Sequence, residues 1–465
     1  MRRALRAAVL SSLLPGAGQL YLGCRRRGLA LLAVALLPLV GAVAAWTVSG
    51  GSLLRDLLRP SVLASLLVGN ALLAAFRLFA AFDAYQFGRS QEGPPHLSSW
   101  ARVPLACGGL LGLAGLTLAP HALVGYYNAQ AYHTINSVFA GGSRTDQFPG
   151  WPGPSASASP QRSVAGQAAA GRRPLTVLLL GGDAGPGRVG LRTDTMIVAH
   201  VDPATNRVTL IGLPRNLTHV PLAGRAAGAF ACHCFPEMLN ALYRFAESHP
   251  ELFPRGPDRG AMAVKDTAEN LLGVRIDHYA LVDLAGFVDV VDALGGVTVQ
   301  VTEHVADMVS PPHVGQNWPS VDVRPGRYHF DGRHALAYVR SRSADDDYHR
   351  MRRQRCLLAG LASQANMPTL LRALPRLLRV VGNSVSTDVP AQDLPHLAAL
   401  AGRLRGAKVT TLGLTPPRFS MIDADGYRVV KLSTVRAGVA QALHPSGDPA
   451  AQQPAGASQQ DNACN

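Results

Sequence analysis

The run from Gly28 to Val48 holds 21 residues without a single charge. That length suits an α-helix crossing the hydrocarbon core of a bilayer, where only a helix or a closed barrel can satisfy its own backbone. Ser61 to Tyr85, interrupted by Arg77 and Asp83, and Pro104 to Val124 read the same way. The two charges lie toward the end of the second stretch, where they can snorkel or face a neighbouring helix. Several long apolar segments argue against a cleavable signal peptide. Residues 1–127 are therefore expected to form a membrane anchor of about three transmembrane helices. Residues 7–23, around Pro15-Gly16, stay open as a re-entrant or interfacial helix.

Arginine sets the orientation. Arg2, Arg3, Arg6, Arg25, Arg26 and Arg27 precede the first span, whereas the short loop after it offers only Arg55 and Arg59. The N-terminus is expected in the cytoplasm, and three crossings place everything after about Tyr126 on the outer face. The net charge of +14 comes almost wholly from arginine, since the only lysines are Lys265, Lys408 and Lys431. Such a surface favours anionic partners: nucleic acid, acidic lipid or a phosphorylated polymer. An outer domain meets no ATP and no chromosome, which argues for no nucleic acid. Six cysteines are too few for a disulfide framework. Cys232-His233-Cys234 looks like half a metal site without its second pair. One of these cysteines is expected to pair with Cys356 in an oxidising compartment, zinc being the weaker alternative.

Residues 128–173 form a linker, rich in Gly, Pro, Ser and Ala from residue 140 onward, that reads as a flexible tether. The tail, 444–465, is Ala/Gln/Pro-rich and expected to be disordered. Between them, residues 174–443 alternate strand and helix patterns, the mark of a layered α/β domain. Leu175 to Leu180 is too short for a helix and stops at Gly181-Gly182, so it reads as a buried strand. Asp183 stands where that strand ends, a common place for working residues on an open α/β sheet. A Gly-rich loop, Arg192 and Asp194 follow, then a strand from Met196 to Val201. Asp202-Pro203 and Asn206 mark a turn, and Val208 to Leu213 returns as a hairpin partner. Asp183, Arg192, Asp194 and Arg215 thereby share one neighbourhood. Two carboxylates with two guanidiniums suggest a metal and a phosphate.

Farther on, Val264, Ala268, Leu271 and Leu272 fall on one helical face. His278–Val282 reads as a strand, Leu284–Leu294 as a helix stopped by Gly295-Gly296, and Val297–Val301 as a strand. Ala335–Val339 reads as a strand ending in Arg340 and Arg342, which would then point to the same side. Tyr348–Gln364 is a predicted helix, followed by helices near 368–382 and 391–404 and a strand at Val409–Leu412.

Each motif has a plain alternative. Gly185-Pro-Gly187-Arg-Val-Gly190 matches GxGxxG, but a strand pattern follows it where a dinucleotide fingerprint needs a helix, and the Lys-Ser/Thr of a phosphate loop is missing. Both nucleotide readings are rejected. A lone Asp at a strand end is commonly a turn or cap residue. A pair flanking one loop fits magnesium, which prefers one or two carboxylates plus phosphate oxygens and water. Arg340 and Arg342 could sit on a solvated edge or grip an anion with their planar forks. Asp345-Asp346-Asp347 are ordinary helix caps by position. Arg350, Arg353 and Gln354 present three donors at i, i+3 and i+4, with surface salt bridges as the alternative.

The strings LLLGGDAG…LRTDTMIVAHVDPATNRVTLIGLPRN, MLNALY, VRIDHYALVDLAGFVDVVDALGGVTVQV, YHFDGRHALAYVRSR and DDDYHRMRRQ, in this order across residues 175 to 362, resemble the LytR-CpsA-Psr family of cell-wall polymer ligases. The resemblance implies a three-layer α/β/α extracytoplasmic domain with a mixed central sheet and a long apolar pocket for a polyprenyl chain. It implies transfer of a glycopolymer from a polyprenyl-pyrophosphate-linked donor onto a peptidoglycan acceptor, leaving a phosphodiester. Asp183 and Asp194 would hold Mg2+. Arg192, Arg215, Arg340, Arg342, Arg350 and Arg353 would grip phosphates, and Arg342 would also serve the transfer step. Asp347 and Gln354 would complete the site, Asp347 helping to activate the acceptor hydroxyl.

Three departures stand out. Asn216 occupies the position where the family usually has Asp after Pro-Arg, Met238 stands where a Lys often precedes the Leu/Ile-Asn pair, and the anchor exceeds the usual single helix. Two other function classes stay open from sequence: a catalytically weak protein that binds polyprenyl phosphates or anionic polymers, and a cell-envelope regulator of transcription.

Overall fold

The computed structural model describes residues 2–49, 59–91, 103–139, 173–183, 191–253, 256, 258–307, 320–341, 347–364, 384–394, 407–424 and 426–444, with a few single positions between 373 and 400. The chain divides into two compact units, Met1–His133 and Thr134–Asn465. The Gly-rich loop 184–190, Arg342, Asp345, Asp346, the tail and most of the two helices expected near 368–382 and 391–404 lie outside the described residues.

The first unit is helical: Arg2–Leu13, Ala17–Tyr21, Arg25–Ser49, Pro60–Ser90 and most of Val103–Phe139. Among the described residues, Pro60–Ser90 is the one helix found long and apolar enough to cross a membrane. The other two expected spans lie within the continuous helices Arg25–Ser49 and Val103–Phe139. Ala4, Ala7 and Ala8 of the N-terminal helix are fully buried. A Cβ at Gly88 would sit 2.7 Å from Ala4 Cα, so small residues are what let the first helix lie against Pro60–Ser90. Arg77 and Asp83 of that helix face neighbours rather than snorkelling. Asp83 accepts from Gln19 Nε2 at 2.9 Å and pairs with Arg27, while Arg77 donates to the carbonyl of Ser12.

The second unit is built on a mixed six-stranded sheet. Its strands in chain order are β1 (Leu175–Gly182), β2 (Thr193–Asp202), β3 (Arg207–Gly212), β4 (His278–Val282), β5 (Val385–Thr387) and β6 (Lys408–Gly413). Their spatial order is β5-β4-β1-β2-β3-β6. β1 pairs antiparallel with β2 and parallel with β4; β3 pairs antiparallel with β2 and parallel with β6. The β2–β3 connection turns at Asn206, whose φ of 51° is one that Asn tolerates better than most residues.

Alternation along β1 divides its neighbours. Leu178 and Leu180 enter a core with Met196, Val198, Ile211, Tyr279 and Leu281, packed by Val264, Ala268, Leu271 and Leu272 of the helix Arg259–Leu272. Those four are the apolar face expected from sequence. Leu179 to Gly182 also border a cavity, with Ala280 and Val282 of β4. Asp258 caps the Arg259–Leu272 helix through a 2.9 Å bond from Ala261 N, and Gly273 ends it at φ 70°. A second core joins Val297, Val299 and Val301 to Phe330, Ala335–Val339 and Leu357.

One expected element changes type. Ala335–Val339 belongs to the helix Gly332–Arg340, not to a strand. Asp331 accepts from His334 N at 2.8 Å and caps that helix, and all five residues of the apolar run are buried. A short run buried on every side carries no period, so the cap decides. Arg340 is thus a helix C-terminal residue rather than the end of a strand, and Arg342, expected to share a strand face with it, lies outside the described residues. The cysteine expectation also changes. Cys232 is bonded to Cys234, so neither pairs with Cys356, which is itself in a disulfide.

Candidate functional site

Gly181 pairs with Thr195 and Gly182 with Thr193, so the register slips and Asp194 has no ladder partner. A bulge of this kind re-aims the skipped residue. It turns Asp194 toward Arg215, whose Nη1 donates to Asp194 Oδ1 at 2.8 Å. Asn240 Nδ2 donates to the same oxygen at 3.1 Å. Asp183, one residue beyond β1, closes the neck of the adjoining loop: its N donates to Arg192 O at 3.1 Å and its Oδ1 accepts from Arg192 N at 2.8 Å.

From the opposite side comes the helix Asp347–Gln364. Asp347 Oδ1 accepts from Arg215 Nε at 3.2 Å and from Arg350 Nη2 at 2.9 Å. Arg350 is only 3% exposed and reaches the Asp194 carbonyl at 3.4 Å. Asp347 Oδ2 is buried and, among the described residues, accepts no hydrogen bond. Carboxylates and guanidiniums therefore alternate: Asp194, Arg215, Asp347, Arg350.

This network borders a cavity of about 670 Å³. Asp183, Arg192, Asp194, Arg215, Arg340, Arg350 and Gln354 line its polar part. Leu179, Ala280, Val282, Phe287, Leu336 and Leu357 line the apolar remainder. Burial alone would raise the Asp194 pKa, but the Arg215 charge, hydrogen bonds from Arg215 and Asn240 and the Arg350 charge hold it below its ordinary value. Burial would likewise lower Arg215, and Asp194 and Asp347 outweigh it, so its pKa is raised. Asp283 lies on the apolar wall and caps the helix Leu284–Ala293 through Gly286 N; burial chiefly pushes its pKa up to about 6.

Arg353 is placed elsewhere. It does not line the large cavity; it donates from Nη2 to Ser341 O at 2.7 Å and lies 5.9 Å from the Tyr338 ring centroid. Asn240 is the site residue that sequence reasoning missed, although the string MLNALY contains it. Arg355, also not singled out from sequence, does not line the cavity. It is 1% exposed, and Cβ atoms at Gly212 and Gly413 would fall 2.8 and 3.0 Å from its Nη1, so glycines at the ends of β3 and β6 leave room for its guanidinium.

The LytR_cpsA_psr family model matches residues 153–441, more than half of the chain. The chain belongs to the LytR_cpsA_psr family. Its curated relatives include the probable cell wall biosynthesis protein LcpB of Corynebacterium glutamicum, 34% identical over 53% of this chain and 50% of that protein. A second is the polyisoprenyl-teichoic acid–peptidoglycan teichoic acid transferase TagU of Enterococcus faecalis, 30% identical over 49% of this chain and 65% of that one. The LytR_cpsA_psr chain thus spans about half to two thirds of the length of these relatives. Among solved structures, B. subtilis TagV aligns at a TM-score of 0.44 and 24% identity over 58% of this chain and 98% of that one.

Proposed function

We propose that the protein is a membrane-anchored phosphotransferase that moves a glycopolymer from a polyprenyl-pyrophosphate carrier to a peptidoglycan hydroxyl, forming a phosphodiester. One observation carries this reading: a mostly apolar cavity opens onto a compact set of guanidiniums already held by carboxylates. An isoprenoid chain fits the apolar part, and its diphosphate fits the arginines. The TagU relative is named for a transfer of this class. A three-layer α/β/α arrangement and an anchor of several spans belong to the same proposal. The large apolar side chains exposed on the helices of the first unit, such as Leu37, Leu72 and Leu111, support anchoring.

The donor set fits a hard divalent cation. Asp183 and Asp194 both reach the cavity, and Asp194 is held ionised by its neighbours. Among the described residues no group of three or more His, Cys, Asp or Glu converges, so magnesium here would take its other ligands from phosphate oxygens and water. When bound, the ion would neutralise charge on the diphosphate.

The chain's own residues do the rest. Arg192, Arg215, Arg340 and Arg350 bind the diphosphate oxygens and stabilise charge building on the leaving polyprenyl phosphate. Arg342 joins them in this proposal from the segment before the helix. Gln354 donates beside them. The acceptor hydroxyl attacks the sugar-side phosphorus, the bridging P–O bond breaks, and polyprenyl phosphate leaves. Asp347 orients Arg215 and Arg350 through Oδ1, and in this proposal its carboxylate takes the hydroxyl proton.

Incubating the detergent-solubilised full chain with Mg2+, a polyprenyl-pyrophosphate oligosaccharide and a peptidoglycan fragment tests this. The expected result is a phosphodiester-linked product by mass spectrometry, with polyprenyl phosphate released. Donor binding without turnover would contradict it.

A further inference from the structure

A transferase of this kind must also hold a sugar acceptor, and apart from Asp347 the residues proposed above serve the phosphates and the lipid. The hairpin Ser420–Ile422/Arg428–Val430 lies beside the phosphate cluster: Thr218, three residues after Arg215, bridges to Val429 and takes the Arg428 carbonyl at its amide. Tyr427 is 48% exposed, and its ring meets His219 edge-on at 5.3 Å between centroids. The Tyr427 backbone is fixed from both sides by Asp423, through its Oδ1 at 2.7 Å and its N–H at 2.9 Å. His219 itself holds φ at 55°, a left-handed conformation that costs energy in a non-glycine residue and collects at binding sites.

Two more groups are joined to the same stretch of backbone. Arg428 stacks over Tyr348 at 5.4 Å, and Tyr348 directly follows Asp347. Met238, 53% exposed, precedes by two residues the Asn240 that holds Asp194. Each arm is thus tied by a few residues of backbone to a member of the phosphate network. A fixed, half-exposed tyrosine beside a histidine offers a flat face to sugar C–H groups and a polar edge to hydroxyls. Arg428 complements the carboxylates of peptidoglycan.

We propose that Tyr427 and His219, with Met238 and the Arg428–Tyr348 pair, form the subsite that holds a sugar ring of the acceptor glycan beside the phosphate cluster. This rests on the transferase reading and adds where its acceptor lies. The hydroxyl of a ring on this ledge would enter the phosphate site from the Asp347 side.

The test titrates full-length protein in detergent with a soluble glycan-strand fragment of peptidoglycan, without donor. Tyr427→Ala should weaken glycan binding about tenfold, Tyr427→Phe should retain it, and affinity for polyprenyl pyrophosphate should stay unchanged. Thermal unfolding of each variant checks that the hairpin still folds, and His219→Ala should give the same loss independently. Wild-type glycan affinity in both alanine variants would overturn the proposal. So would loss of binding to anionic lipid vesicles in place of glycan binding, because the ledge would then face a membrane. Glycan binding that depends on Tyr427 in a wild-type protein incapable of transfer would leave the subsite standing and sink the transferase reading alone.

Discussion

Arg215 lies 2.8 Å from Asp194 while its Nε, on the other edge of the guanidinium, holds Asp347 at 3.2 Å. One cation therefore joins the bulge at the start of β2 to the first turn of a helix more than a hundred residues away. Arg215→Ala leaves both carboxylates without that partner. Transfer should fall by ~100-fold or more, the usual scale for losing one donor that stabilises a transition state. Stability should drop by ~1–3 kcal/mol, as for removing one side of a charged hydrogen bond. Donor-turnover kinetics and thermal unfolding of the same variant check both.

Metal dependence should follow the two aspartates. EDTA is expected to abolish transfer and Mg2+ to restore it, and Asp183→Asn should raise the Mg2+ concentration needed for half-maximal rate. A rate indifferent to chelation would count against Asp183 and Asp194 as ligands.

Asp388, almost fully buried, accepts from Lys265 Nζ at 2.6 Å and from Tyr279 N at 2.7 Å, and so fastens the Arg259–Leu272 helix to β4 and the end of β5. Removing Lys265 leaves the buried Asp388 carboxylate with His278 at 3.5 Å and the Tyr279 amide, so the cost is expected at the lower end of the ~3–5 kcal/mol for breaking a buried pair. Lys265→Met should therefore lower the denaturation midpoint sharply while catalysis in the surviving folded fraction persists. Urea titration followed by circular dichroism reads this.

Asp258 is buried beside Glu247 and Tyr243; burial chiefly raises its pKa to about 7. A carboxyl whose folded pKa lies above its unfolded value contributes stability that is full below the unfolded pKa, near 4, and lost as pH rises through about 7. Asp258→Asn keeps an oxygen for Ala261 N and removes the charge. It should flatten this alkaline loss, raising the melting temperature at pH 9 relative to wild type and changing it little at pH 5. A wild-type melting curve flat between pH 5 and 9 would contradict the assignment.

Several strands were legible because they carry period or brevity: His278–Val282 of the central sheet and Val297–Val301 outside it fall where the apolar runs end at polar or glycine neighbours. The helix Gly332–Arg340 was not, because Ala335–Val339 is buried all round and only the Asp331 cap reveals its type. The bulge that aims Asp194 depends on a register slip that composition does not encode. Arg350 and Gln354, four apart, are separated by ~40° around the helix and share the cavity. Arg353 is ~100° from Gln354 and turns to Ser341 and Tyr338 instead. Spacing showed three donors on one side; the helix rotation separates them.

The most direct test is a structure of the protein with a polyprenyl pyrophosphate bound. The diphosphate is expected against Arg192, Arg215 and Arg350, with the isoprenoid chain running between Leu179, Phe287 and Leu357. A diphosphate held away from those arginines, or a lipid chain outside this cavity, would contradict the account.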